Sequence, residues 1–390
     1  MKYAFKKPGY KILMSLFDII GSILFFPSKL LKKQSPLNPK KILVIRLDHI
    51  GDFVCTTPLF QNLKQRFPDA KITALVNSVS KELAYRDPNI DKVITFSHFY
   101  LSRGEESSKF KGLMRVIKDI KNIGFDIGIE PRGDLLSIVI MWLGGVKYRV
   151  GYGITGGGFL LNKMCEYDES KHVIDRNLTL LGSLDIPISG RSPEVHFSEK
   201  DKDEVKRLIR EKGVRPNQGE IDALGLTPFS AVVIHPFTGA KAKEWPFDNF
   251  QKLINRLKDD GRDILLVGSK DDRGVFENVI DLRGKINLPQ LAYLIKSARS
   301  FIGLDSGPAN MAAALNVPSI VICSGTNVPQ LWIPNNSNVK FVYKDIECKP
   351  CGNKVCPKEK HECMDQITVE EVFDEFKKII NGKMGQSPSV

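Results

Sequence analysis

The chain has 390 residues, 42% of them hydrophobic, and a formal charge of +12; that is more length than one core usually serves and enough apolar material for two. The charge is uneven, because residues 1–40 hold eight lysines against Asp18, or +7, which leaves +5 for the other 350 residues. With no helix-turn-helix, zinc-finger or RNA-binding signature either, the composition excludes a nucleic-acid protein and extensive disorder away from the ends.

The first predicted element is an apolar stretch from Ile12 to Phe26 with lysines on both sides. A membrane span needs about 20 apolar residues, and Asp18, Gly21 and Pro27 interrupt this one. A secretory leader would show small residues at a cleavage site, whereas Pro27-Ser28-Lys29-Leu30-Leu31-Lys32-Lys33 follows. The expectation is a helix lying on an anionic cytoplasmic leaflet, each nearby lysine adding roughly 1 kcal/mol. The alternative is a helix packed on the protein's own body.

From there strand and helix patterns alternate. Strands are expected at 41–45, 71–76, 92–96 and 126–130, with a helix around 112–120. Such alternation predicts a parallel, doubly wound sheet. A glycine-rich stretch at 151–158 and a linker at 189–193 end the first block; a charged helix at 199–212 and a polar loop through Gln218 follow. The second block has strands at 231–235, 263–268, 300–304 and 318–323 and a helix at 289–297. A closing helix carries Val369, Val372, Phe373, Phe376, Ile379 and Ile380, and 383–390 read as a loose tail. The expected organisation is an extension (1–38), two Rossmann-like domains (39–190 and 191–365) and the closing helix (366–382).

Two strand-to-helix turns carry the chemistry. Arg46-Leu47-Asp48-His49-Ile50-Gly51-Asp52 follows the first strand and precedes the periodic apolar residues Phe53, Leu59, Phe60, Leu63 and Phe67. Asp305-Ser306-Gly307-Pro308-Ala309-Asn310 follows the strand at 300–304. Ligands of open parallel sheets bind at the carboxyl ends of the strands, so two such turns in two blocks predict a cleft between two domains. In the first turn, Asp52 is either a helix N-cap or a carboxylate able to take a proton from a hydroxyl. Arg46 could pair with it or position an acidic substrate, and His49 could titrate near neutrality.

In the second block, free backbone amides at a helix start suit an anion, with Pro308 at the first helical position. A plain Asp or Ser cap would stabilise the helix without any ligand. A second turn tips the balance: His235 to Pro246 offers Thr238, Gly239, Lys241 and Lys243, a hydroxyl, a glycine and two cations of the kind phosphate oxygens require. The pair of turns points to a sugar-nucleotide or nucleotide site.

These residues resemble glycosyltransferase family 9, the ADP-heptose:lipopolysaccharide heptosyltransferases and their relatives, from about Lys41 to Ile380. The carriers are the Arg-x-x-x-x-Gly-Asp turn at 46–52, the His-Pro block at 235–246 ending Lys243-Glu244-Trp245-Pro246, Leu282-Arg283-Gly284-Lys285, and Asp305-Ser306-Gly307-Pro308. The resemblance implies a GT-B fold, α/β, with two Rossmann-like domains whose parallel sheets face an interdomain cleft. It also implies an inverting transfer of a sugar, heptose, from a nucleoside-diphosphate donor, ADP-heptose, to a lipopolysaccharide-core or related glycolipid or oligosaccharide acceptor. Position by position, Asp52 and Lys243 take the catalytic places. Thr238, Gly239, Lys243, Asp272, Ile286, Asp305, Ser306, Gly307 and Asn310 fall on the donor side, and Arg46, His49 and Gly51 on the acceptor side. No metal is required for the chemistry, with magnesium at most assisting, and the expected location is the cytoplasmic face of the inner membrane. Three positions depart from the family pattern: Ala309-Asn310 where Met-His is usual, Phe237 in place of a glycine, and Glu130 where an Asp is usual. A nucleotide-sugar epimerase of the same architecture and a non-catalytic sugar-nucleotide or glycolipid binding protein are the rival readings.

Four of the seven cysteines, Cys348, Cys351, Cys356 and Cys363, fall in one short basic loop. Their order could build a structural zinc site with His361 as a spare ligand. Thiols or disulfides are the plainer expectation, because the second pair lacks the close spacing of zinc ligands. Cys55, Cys165 and Cys323 read as small core residues in a reduced, cytosolic setting.

Overall fold

The computed structural model describes residue 3 and residues 8–26, 34–97, 106–214, 229–334 and 336–381. The lysine-rich flank at 27–33, the polar loop at 215–218 and the tail at 383–390 lie outside the described residues. The chain forms two compact units, Met1–Pro193 and Glu194–Val390.

The first unit is built on six strands, β1 (Lys41–Arg46), β2 (Lys71–Val76), β3 (Lys92–Thr95), β4 (Ile127–Glu130), β5 (Tyr148–Gly151) and β6 (Lys163–Met164), in the order β3-β2-β1-β4-β5-β6. All five pairings are parallel. The sequence explains this. In β1 every residue after Lys41 is buried, as expected of a strand covered on both faces, and a parallel neighbour can be reached only through a crossover segment such as a helix. Leu43, Ile45 and Leu75 pack with Phe125, Ile138 and Met141 in one core.

The second unit repeats the plan with β7 (Phe229–His235), β8 (Ile264–Leu266), β9 (Ile280–Asp281), β10 (Ala298–Leu304), β11 (Ser319–Ile322) and β12 (Val339–Val342), in the order β12-β11-β10-β7-β8-β9. Read within each unit, both sheets have the doubly wound order 3-2-1-4-5-6, which reverses between the first and fourth strands. Those switch points lie between β1 and β4 and between β7 and β10. Val232 and Ile234 join Trp245, Phe250 and Phe376 in the second core, where the Trp245 indole N–H donates to Ile367 O at 3.0 Å. The closing helix, Val369–Ile380, buries Val372 and Phe376 in that core.

Several elements escaped the sequence reading: β5, β6, β9 and β12, and the helices Leu135–Leu143 and Val173–Gly182. The helix expected at 112–120 runs from Glu106 to Ile123. The segment read as a linker is partly tied down, because buried Asn62 donates to Gly190 O at 2.8 Å and accepts from the Ser189 N–H at 2.7 Å.

The N-terminal helix, Pro8–Leu24, packs along one face on its own unit. Asp18 is buried there, accepting from the Gly157 N–H and from the Tyr3 hydroxyl, both at 2.7 Å. A Cβ at Gly21 would come within 2.3 Å of the Phe159 ring, so only glycine allows this approach. No described helix is long and apolar enough to cross a membrane.

Candidate functional site

Each unit gathers charged side chains at its own switch point. In the first, β1 ends at Arg46, which is buried, and its guanidinium bridges two carboxylates. Nη2 lies 3.1 Å from Asp52 Oδ1 and Nε lies 3.2 Å from Asp48 Oδ1. Asp48 Oδ2 in turn lies 3.5 Å from Arg132 Nε, beyond the end of β4. Burial opposes charge on Arg46, yet Asp48, Asp52 and Glu130 around it hold its pKa above the ordinary value. For Asp48, burial pushes the carboxyl up against the pull of Arg46, and the neighbouring Asp52 adds to the rise.

Asp52 is not the N-cap. The helix Ile50–Val54 is capped at His49, and Asp52 is its third residue, where its Oδ2 accepts from the His49 backbone N–H at 3.3 Å. One oxygen of Asp52 therefore faces Arg46 and the other faces its own turn. Asn177 donates from Nδ2 to Cys55 O at 2.9 Å and to Thr56 Oγ1 at 3.2 Å, fixing the far end of this short helix. Gly51 sits inside the helix, and the His49 side chain is exposed.

Glu130, noted in the sequence only as a departure, closes the other side of the switch point. It is buried, and its carboxylate accepts backbone N–H groups from Arg132 at 3.2 Å, Gly133 at 2.5 Å and Asp134 at 3.2 Å. Gly133 has φ +82°, which the turn requires. Burial, reinforced by the charge of Asp134, raises Glu130 to about 8, with the Gly133 and Asp134 N–H groups opposing.

In the second unit the expected residues converge. Lys243 Nζ lies 2.6 Å from Asp305 Oδ2, and Asn327 Nδ2 donates to the same oxygen at 3.0 Å. His235, the last residue of β7, has Nδ1 3.2 Å from Ser306 Oγ, which donates to Leu304 O at 2.9 Å. Burial lowers His235 to about 4, so this imidazole is neutral at pH 7. The helix Gly307–Ala314 has Ser306 at its N-cap, whose side chain makes no cap bond to it, and Pro308 is its second residue, not its first. The hydroxyl is spent on Leu304 O and His235.

The remaining expected residues have other partners. Thr238 Oγ1 accepts from the Ala240 N–H at 3.4 Å, and a Cβ at Gly239 would meet open space. Asn310 is buried, with Nδ2 donating to Ser306 O at 3.0 Å. Asp272 Oδ2 accepts from the Ser269 N–H at 2.7 Å, closing the turn after β8. Arg283 holds that turn from outside, donating from Nη1 to Asp272 O at 3.1 Å and to Gly274 O at 2.9 Å, and facing the Phe237 ring at 5.6 Å. Gly284 has φ +65°, and a Cβ there would lie 2.7 Å from Lys270 Cβ. Ile286 is half-buried in the following turn.

The cysteine-rich loop folds against this cluster. Lys354 O accepts from the Ala242 N–H at 3.0 Å and His361 Nε2 meets Ala242 O at 3.1 Å, so both sides of the residue before Lys243 are held. The Cys351 and Gly352 N–H groups donate to Gly325 O at 3.0 Å and Thr326 O at 2.8 Å, just before Asn327. Among the described residues no group of three or more His, Cys, Asp or Glu is placed to hold a metal ion, and none of the cysteines is in a disulfide.

Asp48, Arg132, Glu130 and Asn327 are the members of these clusters that sequence reasoning missed. Asn327 had one available signal: it follows the carboxyl end of β11, beside the strand that carries Asp305.

Known proteins resemble this chain in sequence and fold. Lipopolysaccharide heptosyltransferase 3 of Escherichia coli is 26% identical over 347 residues, covering 85% of this chain and 95% of that protein. Among solved structures, a family 9 glycosyl transferase of Veillonella parvula superposes with a TM-score of 0.73 at 20% identity, covering 89% of this chain and 98% of that one. The ADP-heptose lipopolysaccharide heptosyltransferase II of Escherichia coli gives 0.68 at 20% identity, covering 88% and 100%. The fold is therefore GT-B, α/β, with a six-stranded parallel sheet in each unit. The family model described as glycosyltransferase family 9 (heptosyltransferase) matches residues 113–362, well over half of the chain, and the chain belongs to glycosyltransferase family 9.

Proposed function

We propose that this glycosyltransferase moves heptose from ADP-heptose to a lipopolysaccharide-core or related glycolipid acceptor, with inversion at the anomeric carbon. The names of its relatives support the sugar and the acceptor class, and the solved heptosyltransferases with ADP and an ADP-sugar analogue support the donor. The observation that carries the reading is the Lys243–Asp305 pair at the second switch point, beside a helix start that Ser306 leaves without a side-chain cap.

In this reading Asp52 accepts the proton of an acceptor hydroxyl. The freed oxygen forms a bond to the anomeric carbon as the bond from that carbon to the phosphate oxygen breaks, and the electron pair leaves with the nucleoside diphosphate. Arg46 and the His49 N–H fix Asp52 in place, so the carboxylate is positioned before substrate arrives. Lys243 and the backbone amides opening the helix Gly307–Ala314 stabilise the charge that develops on the diphosphate. The donor contacts are Thr238, Gly239, Asp272, Ile286, Asp305, Ser306, Gly307 and Asn310, and the acceptor contacts Arg46, His49 and Gly51. No step is routed through a metal ion. A glycolipid acceptor places the work at the cytoplasmic face of the inner membrane.

The test is transfer from ADP-heptose, with UDP- and GDP-sugars as controls, to a lipopolysaccharide-core acceptor lacking its last heptose. Product from ADP-heptose alone, cut at least about a hundredfold in Asp52→Asn, is the expected result. Turnover of donor with no acceptor present, or selective binding of a different nucleotide, would overturn the reading.

A further inference from the structure

The N-terminal helix is inside out. Its inward face carries Met14, Asp18, Gly21 and Phe25, so the only carboxylate and the only mid-helix glycine are the buried members. The outward face is aliphatic: Ile12, Leu16, Ile20, Ile23 and Leu24 are between 53% and 71% exposed. A helix facing water alone would be turned the other way, with its apolar stripe on the body and its carboxylate outside. The orientation is fixed, because Asp18 accepts from Gly157 N–H and Tyr3 hydroxyl, Gly21 fits under Phe159, and Phe25 meets Trp142 edge-on with ring centroids 5.6 Å apart. Rotating the helix to hide the aliphatic face would bury none of these groups and would strip Asp18 of both partners.

The apolar surface continues onto the body through Trp142 and Leu143, which are 39% and 44% exposed at the end of the helix Leu135–Leu143. So extended an apolar face marks a contact with something other than water. The charge around it says what. In sequence the helix lies among the eight lysines of residues 1–40, and Asp18, the single acid there, is turned inward. An exposed aliphatic helix face, flanked in sequence by lysines and with its one acid buried, complements anionic lipid, the acyl boundary taking the aliphatic side chains.

We infer that the outward face of this helix, together with Trp142 and Leu143, is a docking surface for an anionic lipid bilayer. It holds the first unit on the membrane through a helix locked to the unit's own body. The inference rests on the glycolipid reading for its purpose, since it would bring the acceptor-side unit to the surface where such an acceptor resides.

The test uses the full chain and vesicles that contain neither acceptor nor nucleotide. Wild-type protein should cosediment with phosphatidylglycerol-containing phosphatidylcholine vesicles, more weakly with phosphatidylcholine alone, and less as salt rises. Leu16→Glu combined with Ile20→Glu should weaken binding at least about tenfold, with the thermal midpoint and the nucleotide-induced shift unchanged. Failure of the wild type to bind anionic vesicles at low salt, or equal binding by the double variant, would overturn the inference. So would a concentration-dependent dimer in sedimentation velocity that the double variant abolishes while vesicles are ignored, because a second copy would then own the face. Docking without sugar transfer would sink the transferase reading and leave this surface standing; transfer without docking would do the reverse.

Discussion

Asp305 Oδ2 holds Lys243 Nζ at 2.6 Å and Asn327 Nδ2 at 3.0 Å at once, so a single carboxylate oxygen gathers the cation from the loop after β7 and an amide from the loop after β11. Lys243 is thereby held at the residue two before the helix Gly307–Ala314, beside the amides that would meet a diphosphate in the proposed reaction. Lys243→Ala should weaken ADP binding by about 10- to 100-fold, the loss of a charge-assisted contact of about 1.5–3 kcal/mol. Isothermal titration at low and high salt checks it, with Lys243→Arg keeping part of the affinity.

Asp52 is tied to Arg46 and to the His49 N–H, and neither contact involves the second unit's cluster. Asp52→Asn should therefore cut transfer by about 10²- to 10⁴-fold, the usual contribution of a general base, while ADP binding stays at the wild-type value. Single-turnover rates beside titration calorimetry separate the two effects.

Arg46 is buried between Asp48 and Asp52. Removing one partner from a buried ion cluster leaves the others uncompensated, so Arg46→Met should destabilise the first unit by about 3–5 kcal/mol. Urea unfolding measures this. Asp48→Asn in the same background should restore part of the loss, because it removes one of the two carboxylates that have lost their shared cation.

His235 supplies a pH signature. Burial depresses its folded pKa to about 4 from an ordinary 6.5, so between those values the unfolded chain binds the extra proton. The stability this group contributes is present above about pH 6.5 and is lost as pH falls through about 4. Thermal midpoints of wild type and His235→Asn should accordingly differ most near neutrality and converge in acid, a comparison in which the carboxylates common to both proteins cancel.

The loop at 348–363 grips Ala242 from both sides, through Lys354 O and His361 Nε2. His361→Ala should loosen Lys243 without touching the donor directly. The expected result is a several-fold weaker ADP affinity with a change in thermal midpoint too small to explain it. If the cysteines of that loop act only through this packing, treatment with a chelator leaves the ADP affinity unchanged.

What the sequence revealed and what it hid divide along a physical line. Ile42 to Ile45 and Ala231 to Ile234 are unbroken apolar runs that only a doubly covered strand explains, and the turns after them hold Asp52 and Lys243. Short edge strands carry no such signal: β6 and β9 have two residues each, and their pairing depends on a neighbour already in place. The site partners Glu130, Arg132 and Asn327 were hidden for a related reason, since each is brought to its cluster by a strand far along the chain. His49 took the cap from Asp52 because the helix begins one residue before the glycine, a boundary that polar residues in a row do not define.

Each unit closes a core of its own around its own six strands, and each gathers its charged cluster at the strand ends and in the turns that follow them. Under natural drift or in the laboratory, the turn at 46–52 and the turns at 235–246 and 305–310 can be rewritten separately. In the proposed reaction, a change of donor then need not disturb the acceptor's recognition, and grafting one half from a relative becomes a practical way to build transferases with new pairings.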